Sequence, residues 1–267
     1  MMRSPLFFFG YGYVAQYIAK LLPEFPHMGT TRQNFPDLTP EILDQFDHFL
    51  ISIPPNEHGD VVLQTYKDYF KSRTKPIRWI GYLSTTGVYG DHSGGWINET
   101  TPATPLTNRS KCRLLAEQQW QGTGLPVKIY RLSGIYGPGR STLDRIITSD
   151  IQIIEKPGHF FNRIHVDDIC RILIASIGSH HNLFNLADNL PSELSDVYRY
   201  AYQLLNKTVP DSIPFDQATL SPMMREFYSE NKRIDNRLIR EILTQDLLYP
   251  TYKEGLQQCL DYRKKST

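Results

Sequence analysis

Cysteine is scarce in this sequence, and the three that occur, Cys112, Cys170 and Cys259, stand far apart. No two have the spacing of a zinc ligand set or of a disulfide framework, so buried thiols and a cytoplasmic setting are the expectation. Long apolar runs are missing as well: none approaches the ~20 residues of a membrane span. The apolar segment near the N-terminus is too short for a signal peptide and has no cleavage pattern behind it. Neither sign of charge dominates, because 29 Lys and Arg face 28 Asp and Glu for a net charge of +1. With no basic stripe interleaved with aromatics, nucleic acid is not the expected partner. A Gly-x-Ser-x-Gly elbow is absent, which removes the usual hydrolase arrangement. No internal repeat and no low-complexity tract appears.

What is present suits a folded chain with a sizeable core. Of 267 residues, 40% are hydrophobic and 21% charged, which fits one large α/β domain or one domain with a smaller lobe. The most informative stretch is Phe7-Phe8-Phe9-Gly10-Tyr11-Gly12-Tyr13-Val14-Ala15. An apolar run of strand length stops at a glycine pair, and a helical pattern (Val14, Ile18, Leu21, Leu22) begins at once. This is the strand–turn–helix setting of a dinucleotide-binding fingerprint. Gly10 allows the tight turn, Gly12 lets backbone approach a pyrophosphate, and Ala15 is small enough for the helix to pack on the strand. Tyr13 and Val14 open the helix, whose free N–H groups and positive end would face the phosphates.

Strand-like runs alternate with helical ones, which argues for βαβ units and a parallel sheet. Expected strands are Leu6–Phe9, His27–Thr31, His48–Ile53, Arg78–Leu83 and Val127–Leu132, with shorter ones near Phe160–Ile164 and Leu183–Leu186. Helical periodicity covers Val14–Leu22, Val61–Phe70, Arg109–Trp120 and Val166–Ile177, then Leu194–Leu205, Asn236–Leu243 and Tyr252–Tyr262. Ser133–Arg140 reads as an irregular loop, marked by its glycines and Pro138. The fold class is therefore a doubly wound, Rossmann-type α/β sheet over about residues 1–150, with a smaller, interleaved C-terminal substrate lobe over 151–267.

An acid about 20 residues past the fingerprint usually holds the ribose 2′-hydroxyl of NAD. Here the second strand runs into Thr30-Thr31-Arg32 instead. Arginine can hold a 2′-phosphate through forked, charge-assisted bonds, helped by the Thr31 hydroxyl, so NADP is favoured over NAD. Arg32 can equally be a solvated loop cation. Pro54-Pro55, after the third strand, either stiffens a loop beside the cofactor or simply ends the strand.

Five further segments occur in order: Tyr82-Leu83-Ser84-Thr85-Thr86-Gly87-Val88-Tyr89-Gly90-Asp91; Asn98-Glu99-Thr100-Thr101-Pro102; Ser110-Lys111 opening a helix with Ala116-Glu117; Arg131-Leu132-Ser133-Gly134-Ile135-Tyr136-Gly137-Pro138-Gly139-Arg140; and Arg163-Ile164-His165-Val166-Asp167-Asp168. Together they resemble the extended short-chain dehydrogenase/reductase superfamily, the NAD-dependent epimerase/dehydratase group that often acts on nucleotide sugars. The resemblance implies a catalytic Ser/Thr, Tyr and Lys, matched here by Thr85, by Thr107 in the Tyr position, and by Lys111. Lys111 would also contact the nicotinamide ribose. A threonine hydroxyl is far too weak an acid for a phenol's work near neutral pH. The chain thus looks like one of the group's atypical members, which lack an intact set.

Two other Tyr-x-x-x-Lys matches, Tyr228–Lys232 and Tyr249–Lys253, lie well away from that position, and 16 tyrosines make chance matches unsurprising. Tyr89 and Tyr136, each following a strand, are candidates to replace the missing phenol. Arg140, Arg163, Lys232 and Arg233 would line a substrate cleft suited to a small phosphorylated, carboxylated or sugar-nucleotide substrate. Each can equally form a surface ion pair. Asp167 or Asp168 would cap the following helix, and the adjacent His180-His181 do not share a direction for a metal, so no metal is expected. The resemblance also implies a homodimer through helices flanking the sheet, where Leu114, Leu115 and Trp120 would serve either an interface or the core. The functional expectation is an NADP-dependent oxidoreductase or epimerase/dehydratase-type enzyme working by hydride transfer. A redox-inactive NADP-binding sensor is the alternative.

Overall fold

The computed structural model describes residues 5–266. Among these residues the strands are β1 (Leu6–Phe9), β2 (His27–Gly29), β3 (His48–Ile51), β4 (Trp79–Thr85), β5 (Trp96–Ile97), β6 (Val127–Leu132), β7 (Gly134–Tyr136), β8 (Ile153–Glu155), β9 (Arg163–His165), β10 (Leu183–Leu186), β11 (Ser212–Pro214) and β12 (Arg233–Ile234). The helices are α1 (Tyr13–Leu21), α2 (Pro40–Leu43), α3 (Val61–Ser72), α4 (Asn108–Gln121), α5 (Thr142–Thr148), α6 (Val166–Ser176), α7 (Leu194–Leu204), α8 (Pro222–Phe227), α9 (Arg237–Ile242) and α10 (Tyr252–Ser266). Among the described residues, no helix is long and apolar enough to cross a membrane.

The chain forms two compact units. The first takes residues up to Val88, Ala103–Leu132 and Ile169–Phe184; the second takes Tyr89–Pro102, Ser133–Asp168 and the chain from Asn185 onward. The boundary expected near residue 150 thus meets a division in which the chain passes between units several times.

The first unit is built on the six-stranded sheet, ordered β10-β6-β4-β3-β1-β2. The pairs β1–β2, β1–β3, β3–β4 and β4–β6 are parallel, as expected for a doubly wound fold. Fully buried parallel strands require apolar residues on both faces, and Leu6–Phe9 and His48–Ile51 are buried at every position. Phe7, Phe9, Phe49 and Ile51 join Val62, Phe70, Ala116 and Trp120 in one core. Burying each large side chain is worth about 1.5–3 kcal/mol. Trp120 is therefore core, while Leu115 is exposed on the same helix. Strand order reverses at β1, with β2 on one side and β3 on the other. Such a switch point is where open α/β sheets bind ligands.

Several boundaries differ from expectation. β2 ends at Gly29 because the Thr31 N–H leaves the ladder for the Asn34 side chain, 2.6 Å away. β4 continues to Thr85, and the short strand expected at Phe160–Ile164 lies at Arg163–His165.

The second unit packs α5, α7 and α10 around Leu143, Ile146, Val197, Ala201 and Leu256. Its small parallel pairs are β7–β9, β8–β11 and β5–β12. Gly255 in α10 is required by this packing, because a Cβ there would run into the Tyr136 ring. The Asp168 carboxylate accepts the N–H groups of Leu248 and Tyr249 at 2.7 and 2.9 Å, tying the start of the helix to a segment 80 residues on.

Candidate functional site

The turn after β1 is assembled from three strand ends. Gly10 has φ +98°, a left-handed conformation, and a Cβ there would lie 2.6 Å from Ser52 Oγ. Its N–H donates to Thr30 Oγ1 at 2.9 Å, and the Tyr11 N–H donates to the Thr30 carbonyl at 2.8 Å. The Ser52 hydroxyl, beyond β3, donates to the Gly10 carbonyl at 2.8 Å. The loop is thereby held by β2 on one side and β3 on the other.

Gly12 is the N-cap of α1. No side chain caps that helix and its first turn carries no acid, so its first N–H groups and positive end are left for an anion. A Cβ at Gly12 would meet nothing within 4 Å: the space before the helix is open. Val14 and Ala15 are buried beneath it, and the half-buried Tyr13 ring lies 5.0 Å from Tyr17. Open space before a helix N-terminus that no side chain caps, with a glycine at the point of approach, fits a pyrophosphate. Arg32 and Pro54 are exposed. The Thr31 hydroxyl donates to Asn34 Oδ1 at 3.2 Å, within its own turn.

At the end of β4, Thr85 Oγ1 accepts the Gly87 N–H at 3.1 Å. Thr107, in the position matched to the family's tyrosine, is the N-cap of α4, and its hydroxyl accepts the Ser110 N–H at 3.1 Å. It is a capping residue by location as well as by chemistry. Lys111 is exposed on α4. The cation of that helix that meets the sheet is Arg113, which donates to the Leu83 carbonyl at 2.8 Å and to the Tyr82 hydroxyl at 3.3 Å.

Below them lies a buried polar cluster that the sequence analysis did not single out. Arg131 on β6 grips Glu117 on α4 with bonds of 3.1, 3.2 and 2.7 Å. The Ser84 hydroxyl donates to the same carboxylate. Glu117 and Arg131 are 1% and 6% exposed. The helical spacing Ser110, Arg113, Glu117, Trp120 was the available signal, since it puts the two charged residues on the face that carries Trp120 to the core.

The two tyrosines considered as replacement acids both lie in the second unit. Tyr89 is fully buried and donates to Asn185 Oδ1 at 2.8 Å. Tyr136 donates to the Thr251 carbonyl at 3.4 Å; burial, aided by the charges of Asp188 and Cys259, raises its pKa well above the ordinary phenol value. A phenol so placed keeps its proton.

The four candidate substrate cations also belong to the second unit. Lys232 is buried and donates to the Gly90 carbonyl at 2.7 Å and Glu230 at 2.5 Å. Arg163 donates to the Phe161 carbonyl at 3.1 Å, and burial lowers its pKa. Arg233 lies over the Phe160 ring at 4.0 Å. Asn162 joins their segments, its side chain bonding the Lys232 carbonyl and the Ile234 N–H. Arg140 is exposed, and its N–H closes a turn on the Gly137 carbonyl at 2.9 Å.

No family model matches the chain. Among solved structures, a conserved protein of unknown function from Silicibacter pomeroyi DSS is 41% identical, covering 97% of this chain and 99% of that one, with a TM-score of 0.91. The UDP-glucuronic acid 4-epimerase of Bacillus cereus in complex with NAD superposes with a TM-score of 0.75 at 15% identity, over 98% of this chain and 99% of that one. The dTDP-glucose 4,6-dehydratase of Bacillus anthracis, also in complex with NAD, gives 0.72 at 15% identity over 98% and 97%. Protein YeeZ of Escherichia coli K12 is 31% identical over 142 residues, 46% of this chain and 45% of that protein. The chain therefore spans less than half the length of that curated relative. By its near full-length similarity the chain belongs to the family of the Silicibacter pomeroyi protein, and it carries the fold of the NAD-dependent epimerases and dehydratases.

Proposed function

We propose that this chain binds a nicotinamide dinucleotide and uses it as an oxidoreductase or epimerase/dehydratase-type enzyme on a small anionic or sugar-nucleotide substrate. The observation that carries the reading is the β1–α1 turn: an uncapped helix N-terminus, free of acids, faces open space at Gly12. Gly10, Gly12, Tyr13, Val14 and Ala15 would form the pyrophosphate seat. Hydride exchange at the nicotinamide is the chemistry such a cofactor supplies when bound. The Thr85 hydroxyl would orient the substrate oxygen from the end of β4, and Lys111 would contact the nicotinamide ribose. Arg113, held on β4, is the rival for that contact. The buried Ser84–Glu117–Arg131 cluster would keep β4 and α4 in register. Arg32 supports a 2′-phosphate and hence NADP; the NAD held by the epimerase and the dehydratase supports a free 2′-hydroxyl.

A second reading is a redox-inactive dinucleotide-binding sensor. It is favoured by the capping role of Thr107 and by the internal bonds of Tyr89 and Tyr136, which leave no phenol for proton transfer among the candidates considered. Incubating the chain with reduced and oxidised NAD and NADP and a panel of UDP-sugars, dTDP-sugars and carbonyl acids separates the two. Turnover that Thr85→Ala and Lys111→Ala each reduce at least tenfold supports the enzyme. Tight dinucleotide binding without any turnover supports the sensor, and loss only in Arg113→Ala moves the ribose contact to that residue.

A further inference from the structure

The second unit contains a cavity of about 390 Å³ whose walls include Trp96, Asp188, Asn189, Asn236, Arg237 and Arg240. It is far larger than the ~30 Å³ share of one water and falls within the range of small-molecule sites. Asp188, on its wall, is only 1% exposed. One carboxylate oxygen accepts the Leu190 N–H at 3.0 Å, while Oδ2 has no hydrogen-bond partner among the described residues, the charge of the buried Arg163 guanidinium acting on it without a hydrogen bond. A buried acceptor left without a partner is costly and uncommon in native folds, and calls for a ligand or solvent group to complete it.

The surrounding groups are arranged in three kinds. Asn236 donates to the Ala187 carbonyl at 3.0 Å and to Asn189 Oδ1 at 2.7 Å, which fixes two amides against each other beside Asp188. Trp96 is 60% exposed, whereas Trp79 and Trp120 are buried, and the Arg233 guanidinium lies over its ring at 5.9 Å, so one largely exposed indole stands at this cavity. Arg237 is oriented by Asp235, with contacts of 2.7 and 2.6 Å, and the exposed Arg240 lies on the same short helix. An indole plane takes the apolar face of a ring, a buried carboxyl and amides take hydroxyls, and guanidinium groups take an anion.

We infer that this cavity is a binding site for an anionic monosaccharide, its hydroxyls held by Asp188 and the two asparagines, its ring on Trp96 and its carboxylate or phosphate on Arg240 and Arg237. None of these residues belongs to the unit that carries the glycine turn, so the site does not depend on the dinucleotide reading.

Because Trp96 is the exposed tryptophan of the three, intrinsic fluorescence reports on this site directly. The full chain is titrated, without dinucleotide, with D-glucuronate, D-glucose 6-phosphate and D-glucose, and each affinity is checked by calorimetry. The expected result is saturable binding of at least one anionic sugar and at least tenfold weaker binding of glucose. Carboxylate or phosphate preference identifies the source of the anion. Arg240→Ala, an exposed change, weakens the anionic sugar at least tenfold, and Asp188→Asn weakens every sugar that binds. Absence of saturation by both anions up to about 10 mM, or undiminished affinity in Arg240→Ala, overturns the assignment even where Asp188→Asn fails to fold.

Discussion

Replacing Gly10 and Gly12 separately by alanine should have opposite consequences. At Gly10 an alanine must adopt φ +98° and place its Cβ 2.6 Å from Ser52 Oγ, with Ile53 atoms at 3.2 and 3.3 Å. A left-handed non-glycine conformation costs on the order of 1–3 kcal/mol, and crowding adds about as much again, so the variant should lose about 2–5 kcal/mol. For a chain of this size that lowers Tm by roughly 5–15 °C. At Gly12 the backbone has φ −90°, accessible to any residue, and the new methyl meets nothing within 4 Å. Alanine is a poorer N-cap than glycine by about 0.5–1 kcal/mol, while its smaller unfolded-state entropy returns about 0.4–1 kcal/mol. Stability should therefore change by no more than about 0.5 kcal/mol. The methyl does, however, occupy the space before the α1 N–H groups. Losing one charge-assisted amide–phosphate bond, about 1.5–3 kcal/mol, weakens dinucleotide binding roughly 10–100-fold. Thermal unfolding and calorimetric titration of both variants measure these effects. A Gly12→Ala protein that is folded and binds dinucleotide within about twofold of the parent would refute a phosphate seat at this turn.

Three other outcomes are expected. Glu117→Gln leaves the Arg131 guanidinium buried without its counter-charge and should cost about 3–5 kcal/mol in urea unfolding; a loss under about 1 kcal/mol would show the cluster to be dispensable. Thr107→Ala removes the α4 cap and should cost about 1 kcal/mol with dinucleotide affinity unchanged, whereas a selective loss of affinity would make Thr107 a ligand contact. His159 and His165 have pKa values pushed down to about 4, burial being the first cause in each, so both imidazoles should remain neutral at pH 5.5 in NMR titrations. Because these folded pKa values lie below the unfolded one, the stability they contribute is full above about pH 6.5 and is lost as pH falls through about 4. Titration near pH 6.5 would contradict their burial.

The main sheet was legible because its strands are short apolar runs with glycine or polar punctuation. Val127–Leu132 and Leu183–Leu186 have the boundaries that their composition suggests, and the glycine pair marks both the end of β1 and the start of α1. β2 is shorter than its apolar and threonine content implies, because the Asn34 side chain competes with the ladder for the Thr31 N–H. The family resemblance placed Lys111 in the site; the helix leaves Lys111 exposed and carries Arg113, Glu117 and Trp120 toward the sheet. The roles of Asp168 and Lys232 depend on partners distant in sequence, Leu248 for Asp168 and Gly90 for Lys232. No local pattern reveals such pairings. Charged residues within apolar strands and on core-facing helix positions, Arg131 and Glu117 above all, were the readable sign that a buried network existed.

The central claim is that the β1–α1 turn seats a nicotinamide dinucleotide. Calorimetric titration of the purified chain with NAD, NADH, NADP and NADPH, side by side with Arg32→Ala, tests it most directly. Saturable binding of one dinucleotide per chain is the predicted result, with Arg32→Ala selectively weakening the phosphorylated forms if Arg32 holds a 2′-phosphate and changing nothing if NAD is the partner. Absence of binding by all four, from a protein shown to be folded, would contradict the account.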